Sequence, residues 1–195
     1  MPLRSNRQDI VDAGMRLIQE KGYEAVSVDE ISQAAGISKP TFYKYVKSKE
    51  DILHAYFQEE MRARWEQLEK LDSEDYWSKV WVVLYGTMAR GVRLGPEIYG
   101  HYLQLLMHEH NPTSLYKSDL VDETYKNIRL AQEHGQILNQ DDPEQLFLTI
   151  RNMALGLAFK WVMTDGSFEL IPYFRELVET ILLPQEDPNK LVCIV

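Results

Sequence analysis

Cysteine is almost absent from this chain, because Cys193 is the only one among 195 residues. A single thiol excludes an intramolecular disulfide and a zinc site built from several thiolates. Long apolar runs are also absent: the longest strongly apolar stretch, residues 80–89, is about half of what a bilayer span needs. The first residues, Met-Pro-Leu-Arg-Ser-Asn-Arg-Gln, lack the apolar centre of a signal peptide. We therefore expect a cytoplasmic protein with no membrane partner.

The motifs of the common enzyme classes are missing too. The sequence has no Gly-x-Ser-x-Gly, no glycine-rich phosphate loop and no His-Glu-x-x-His. His101, His108 and His110 invite a metal interpretation, and the first two share a helix face because they are seven residues apart. No acidic residue joins them at the spacing of a ligand set, however. We expect neither an enzyme nor a metal or cofactor site.

Positive charge is scarce, since 21 Lys and Arg stand against 30 Asp and Glu, a net charge of −9. Such acidity argues against binding to nucleic acid. Its distribution matters more, because residues 1–50 hold eight basic and seven acidic residues while the remainder holds thirteen and twenty-three. Residues 38–49 carry four lysines and no acidic residue. This short segment is the part of the chain that is suited to face an anion.

Strand signals are nearly absent, whereas helix starts and stops are frequent. Ser5-Asn6-Arg7-Gln8 and Ser27-Val28-Asp29-Glu30 have the pattern of capping boxes. Ser38 and Ser48 are further candidate N-caps. Glycines follow the first two helices, at positions 22 and 36. The first half-hundred residues are thus predicted to form three short helices before a longer fourth.

The remaining helices are predicted with short breaks between them. Gly95-Pro96, Asn111-Pro112 and Asp165-Gly166 interrupt the pattern, and Asp142-Pro143 is a helix start with Asp as the cap. The predicted ranges are about 48–71, 74–93, 96–110, 113–134, 143–165 and 169–183. The prediction is an all-α fold of about nine helices. A three-helix unit in residues 1–50 is joined by the 48–71 helix to a larger helical domain in residues 51–195.

Residues 27–49 combine three features that a helix-turn-helix requires. Ala34-Ala35-Gly36-Ile37 places small residues and a glycine at the joint between two helices. The next helix has one apolar pair, Phe42 and Val46, to seat it on a scaffold. Its other faces carry polar, basic and aromatic residues that suit phosphates and base edges in a major groove: Lys39, Pro40, Thr41, Tyr43, Lys44 and Tyr45.

On these residues the chain resembles the DNA-binding domain of TetR/AcrR-type regulators over positions 10–57. The stretches 22–31 and 34–53 carry the resemblance. It implies a homodimer on a partly palindromic operator, usually a repressor that a small molecule releases. The DNA-binding residues implied are Ser27, Ser38, Lys39, Pro40, Thr41, Tyr43, Lys44, Tyr45 and Lys49. Two departures, Val46 where the family more often has Phe and Gly14 where it usually has Ala, lie away from this face.

The resemblance also implies that residues 51–195 form an effector-binding and dimerisation domain, and the frequent aromatic and methionine residues after position 57 are compatible with a pocket. An effector pocket is concave and mostly apolar, which predicts a small apolar or amphipathic ligand. The candidate pocket residues are Trp81, Tyr85, Met88, Tyr102, Leu105, His108 and Tyr125. Ordinary core packing explains the same composition.

Two apolar stripes near the C-terminus are predicted to form the dimer interface that the resemblance implies. They comprise Leu146, Ile150, Met153, Leu157 and Trp161 on one helix and Phe174, Leu177, Val178 and Ile181 on the next. Packing of these stripes within one protomer is the alternative. For the whole chain, the rival function is an acidic helical protein that binds a small molecule and does not bind DNA.

Overall fold

The fold is described here from a computed structural model, which covers residues 7–71, 74–108 and 119–185. In these ranges the chain is helical, and its one β-bridge joins Ile137 to Pro184. The helices are α1 (Arg7–Lys21), α2 (Val28–Ala34), α3 (Lys39–Tyr45), α4 (Lys49–Leu68), α5 (Tyr76–His108), α6 (Asp119–Glu133), α7 (Pro143–Met163) and α8 (Leu170–Leu182). Gly95, with a φ of 81°, divides α5 into two arms. The described residues thus form nine helical segments, and the all-α prediction is confirmed.

Side-chain caps begin the helices where the sequence predicts them. Ser27 forms both halves of a capping box with Glu30. The hydroxyls of Ser38 and Ser48 each accept a hydrogen bond from a backbone N–H three residues on, and the Asp142 carboxylate does the same for α7. Each cap satisfies an N–H that the helix leaves unpaired. The predicted caps at Ser5 and helix ends in 109–118 lie outside the described residues.

The N-terminal helices enclose a small apolar core, here called the head core. Its buried residues are Ile10, Val11, Met15, Ile18, Tyr23, Val26, Ile31, Phe42, Val46, Ile52, Leu53, Ala55, Leu94 and Ile98. The first turns of α4 and the break in α5 therefore complete the packing of α1–α3. A domain boundary at residue 50 stays a prediction, and the head core extends beyond it.

Close contact between α1 and α4 explains the glycine at position 14. A Cβ there would lie 2.6 Å from Cδ1 of Ile52 and 3.2 Å from its Cγ2. Ile52 is fully buried, so it has little room to move. The cost of glycine to helix stability, about 1 kcal/mol, is thus offset by an approach of α1 to α4 that alanine would obstruct.

The second core lies among α5–α8 and is called the C-terminal core. Its buried members are Trp77, Val80, Trp81, Leu84, Met88, Tyr99, Leu103, Val121, Ile128, Ala131, Ile137, Leu146, Phe147, Ile150, Ala154, Leu157, Ala158, Trp161, Leu170, Phe174, Val178 and Leu182. Phe57 and Tyr102 touch both cores, and their rings stack at 3.6 Å between centroids. The connecting helix α4 and the second arm of α5 thereby join the two parts of the molecule.

Candidate nucleic-acid interface

The joint between α2 and α3 is a tight turn built by Ala35 and Gly36. The Ala35 N–H donates to the carbonyl of Ile31 at 2.9 Å, and the Ile37 N–H donates to that of Ser32 at 3.0 Å. Gly36 has a φ of 67°, which residues with a side chain rarely adopt. The turn sets α3 across α2, as a helix-turn-helix requires.

Helix α3 has one buried side and one exposed side. Phe42 is fully buried and Val46 is 2% exposed, so these two side chains seat the helix on the head core. On the outer side, Tyr43 is 50% and Tyr45 is 40% exposed. Lys39, Pro40 and Lys44 are exposed beside them, and Thr41 is half-buried.

Polar groups at the start of α3 are already engaged. The Ser38 and Thr41 hydroxyl oxygens lie 2.8 Å apart. Lys39 Nζ donates to Asp29 Oδ2 at 3.0 Å, and this exposed pair raises the pKa of Lys39. A phosphate would have to replace Asp29 as the partner of Lys39, at a small cost because exposed ion pairs contribute about 0–1 kcal/mol.

At the start of α2, Ser27 belongs to a small polar network. Its backbone N–H and its hydroxyl both donate to Glu30 Oε2 at 2.9 Å, and Lys21 donates to Glu30 Oε1 at 2.8 Å. The Lys21 bond, followed by those from Ser27, lowers the pKa of Glu30 to about 2. Ser27 is exposed, and its hydroxyl serves the helix cap.

Lys49 is half-buried and already engaged with the loop between α1 and α2. Its Nζ donates to the backbone carbonyls of Tyr23 at 2.7 Å and Val26 at 3.1 Å, and it lies 4.1 Å from the centre of the Tyr23 ring. Two of the three ammonium donors are therefore used to hold the loop between α1 and α2. Lys49 therefore positions this loop, and its role as a phosphate contact stays a prediction. Its partners lie 23 and 26 residues earlier in the chain, and no local pattern indicates them.

The seven candidate pocket residues do not form one group. Trp81 and Met88 are buried in the C-terminal core, with Tyr85 and Tyr125 half-buried against it. Tyr102 touches both cores, and Leu105 packs on the head core. His108 is exposed at the end of α5. Trp81, Tyr85, Met88 and Tyr125 remain candidates for an effector site, whereas Leu105 and His108 lie apart from them.

The predicted dimer stripes mostly face inward. Six of the nine residues are buried in the C-terminal core of the protomer: Leu146, Ile150, Leu157, Trp161, Phe174 and Val178. Met153, Leu177 and Ile181 are half-buried at its edge. The interface prediction for the six is corrected, because α7 and α8 use these side chains to pack against α5 and each other.

The outer face of α7 is apolar as well. Leu155 is 39% and Met163 is 82% exposed, and a Cβ on Gly156 would have no atom within 4 Å. On α8, Tyr173 is 39% exposed. By length and composition α7 is apolar enough to span a membrane, but the core helix of a soluble protein passes the same test. Apolar residues on two opposite faces account for this composition.

The histidines of α5 have separate surroundings. The ring of His101 packs on that of Tyr23 at 4.3 Å, and its Nδ1 lies 3.7 Å from Oε1 of Glu24. His101 therefore helps to hold the second arm of α5 against the loop between α1 and α2. Across the ranges that the structure describes, no three His, Cys, Asp or Glu side chains come together as a metal site would need. His110 lies outside these ranges.

Comparison with known proteins supports the identification of α2 and α3 as a DNA-binding helix-turn-helix. Residues 10–56 match the family model described as bacterial regulatory proteins, TetR family. The fatty acid metabolism regulator protein of Bacillus subtilis (strain 168) is 27% identical over 184 residues, which are 92% of this chain and 95% of that protein.

Solved structures extend the likeness to the whole fold. FadR of Thermus thermophilus, a TetR-family transcriptional repressor solved with lauroyl-CoA, superposes with a TM-score of 0.66 at 19% identity, covering 94% of this chain and 98% of that one. The fatty acid degradation regulator FadR of Bacillus halodurans gives 0.56 at 22% identity, covering 90% and 94%. Both chains share the N-terminal helix-turn-helix and C-terminal helical domain architecture.

Proposed function

This chain belongs to the TetR family of bacterial transcriptional regulators, and from that premise we propose that it is a homodimeric repressor of a partly palindromic operator. Residues 1–50 are assigned to DNA binding, α4 to the connection, and residues 51–195 to effector binding and dimerisation. The protein acts in the cytoplasm, and its role is regulatory rather than catalytic.

The two-sided character of α3 is the observation that carries the DNA-binding assignment. Phe42 anchors the helix while Tyr43, Lys44 and Tyr45 point away from the head core. Ammonium and phenol groups donate hydrogen bonds to phosphate oxygens, which fixes the register of a protein on a duplex. We assign Ser38, Lys39, Pro40 and Thr41 to the same DNA-binding face. Ser27, at the start of α2, lies at its flank.

The alternative, an acidic helical protein that binds a small molecule without DNA, rests on the net charge of −9. It leaves unexplained why two half-exposed tyrosines accompany the lysines of a short, firmly seated helix. The acidic residues lie mainly after position 50, where they would keep the rest of the protein away from phosphates.

The dimer interface is proposed on the outer face of α7 and the adjoining side of α8. Leu155 and Met163 provide exposed apolar area, and Gly156 leaves the α7 backbone open to the close approach of a second helix. Tyr173 adds an aromatic ring from α8, and Leu177 lies half-buried on the same helix. Pairing with a second copy would remove this apolar surface from water and hold two heads at a fixed separation.

Glutamate at both Leu155 and Met163 is expected to convert the dimer to a monomer. Two charges per protomer would be buried at the interface without partners, and operator affinity should fall about 100-fold because the half-sites would no longer be bound together. Light scattering gives the mass and a gel shift gives the affinity. The matched control is glutamate at Met107 and Leu138, which are also exposed, at 68% and 52%. A stable dimer with both interface substitutions would show that the face is wrong.

A long-chain acyl-CoA is the effector that we propose. The Thermus thermophilus repressor was solved with lauroyl-CoA, and the Bacillus subtilis relative carries the name of a fatty acid metabolism regulator. In this chain the C-terminal core is aromatic and apolar, with Trp81, Met88 and Phe147 among its buried residues. Such a lining suits an acyl chain, while the highly charged coenzyme A portion would remain near the surface.

Lauroyl-CoA is expected to weaken operator binding at least about tenfold when it is present well above its dissociation constant. The operator is obtained by selecting bound sites from random DNA, and the recovered half-site spacing tests the dimer as well. Free coenzyme A, which lacks the acyl chain, is the control and should leave the gel shift unchanged. Equal effects of the two compounds, or none from either, would refute the acyl-CoA assignment.

A further inference from the structure

Trp77 is held firmly at the start of α5. It is 5% exposed, and its ring lies 6.3 Å from that of Trp81 within the C-terminal core. Its backbone N–H donates to Gln136 Oε1 at 3.0 Å, and Gln136 Nε2 donates to the Glu74 carbonyl at 2.7 Å. Gln136 therefore ties the first turn of α5 to the loop after α6 and fixes where the indole lies.

The indole N–H of Trp77 is buried without an acceptor anywhere in residues 7–71, 74–108 and 119–185. Another indole of the same core is satisfied, because Trp161 Nε1 donates to the Phe168 carbonyl at 3.0 Å. Buried polar groups in proteins nearly always have a partner, and an unpaired one destabilises the fold. Within the described residues, the fold therefore leaves this donor available to an acceptor from outside the chain.

We propose that Trp77 Nε1 donates a hydrogen bond to an uncharged carbonyl oxygen of the effector, at the head of its apolar chain. This assignment rests on the proposed effector-binding role of residues 51–195. It makes Trp77 a specificity-determining residue, distinct from the side chains that line the path of the hydrocarbon.

The surroundings favour an uncharged acceptor over a carboxylate. Among the described residues, the buried polar side chains of the C-terminal domain are Ser78, Thr124 and Asn127, and none of them is charged. The half-buried guanidinium of Arg175 lies 5.5 Å from the centre of the Trp81 ring, but it is already paired with Glu179 at 2.5 Å. Thr124 donates to the Leu120 carbonyl, and Asn127 Nδ2 to that of Glu123. A buried carboxylate would need a cation, whereas a thioester, ester or ketone oxygen needs only one donor. Trp77 supplies that donor.

The decisive comparison uses lauroyl-CoA and S-dodecyl-CoA, a thioether that lacks only the carbonyl oxygen. Calorimetry should show that the full-length protein binds lauroyl-CoA about five- to tenfold tighter, as one hydrogen bond would give. Trp77→Phe should bind the two compounds equally, within about twofold, because the loss of ring area affects both alike. A preference for lauroyl-CoA that survives in Trp77→Phe would overturn the inference while leaving the acyl-CoA effector intact.

Stability and spectroscopy give an independent reading. Trp77→Phe should unfold at a temperature closer to that of the wild type than Trp161→Phe does, since only the second substitution leaves a carbonyl without its donor.

In the ¹⁵N–¹H spectrum of the four indoles, the Trp77 signal should move downfield when dodecan-2-one, an uncharged ketone, is added. If neither CoA compound binds, the effector class is wrong, and the ketone still decides the role of Trp77. A Trp77 signal that does not move would refute it.

Discussion

Replacing Lys39 and Lys44 together by alanine is expected to reduce operator affinity about 100-fold or more, with helicity and dimer mass unchanged. Both side chains are exposed on the outer side of α3, and neither contributes to the head core. A dimer loses four ammonium groups at once, and phosphate contacts supply most of the affinity of such proteins. The slope of log affinity against log salt should fall by about 3 to 4 in magnitude. Gel shifts at several salt concentrations measure both quantities.

The matched control removes Lys70, just after α4, and Lys126 of α6, two exposed lysines that lie outside the proposed DNA and dimer faces. It changes the net charge equally, so any difference reports position rather than total charge. Asp29→Asn provides a test of opposite sign, since it frees Lys39 from its 3.0 Å ion pair and should strengthen DNA binding slightly. Undiminished affinity in the Lys39 and Lys44 variant would mean that another face of the head contacts DNA.

Local features allowed most of the fold to be predicted from the sequence. The caps at Ser27, Ser38, Ser48 and Asp142 each depend on a bond to a residue three positions away, so the sequence displays both partners. The break at Gly95 is equally local, because proline follows a residue that can adopt a positive φ. For the same reason the exposed side of α3 could be identified, since Phe42 alone supplies a fully buried anchor in that helix.

The direction in which α7 faces could not be predicted in this way. Its apolar residues cover two sides, and periodicity does not distinguish the side that packs on α5 from the side left exposed. Ile150 and Leu157 turn inward while Leu155 and Met163 turn outward, although all four are apolar. Only the packing of α5, α6 and α8 decides between them. The candidate pocket residues divide between the two cores for the same reason, because their grouping depends on how distant helices meet, and the site itself stays a prediction.

The sequence also gives no sign that α5 bends back on itself so closely that position 91 has no room for a side chain. A Cβ on Gly91 would lie 2.4–2.6 Å from three carbons of the Tyr99 ring. That ring is 5% exposed and is held on other sides by Phe57, at 5.9 Å between centroids, and by Trp161, at 6.4 Å. The ring cannot move away without disturbing both neighbours.

Gly91→Ala is therefore expected to destabilise the protein by about 2 kcal/mol. Alanine gains about 1 kcal/mol of helix propensity, but overpacking in a filled core commonly costs about 1–3 kcal/mol and exceeds that gain when a rigid ring must shift. For a chain of this size the melting temperature should fall by about 4–8 °C, which differential scanning calorimetry measures.

A double-substitution cycle with Tyr99→Leu separates the clash from any other effect of alanine at position 91. Tyr99→Leu alone should be destabilising, because it leaves a cavity beside Phe57 and Trp161. In that background Gly91→Ala should become neutral or stabilising by up to about 1 kcal/mol, since the methyl group then has space and the helix propensity remains. Equal losses in both backgrounds would mean that the ring contact is not the cause. Coupling of the expected sign would show that Tyr99, which joins the break in α5 to α4 and α7, is held in place by the absence of a side chain at Gly91.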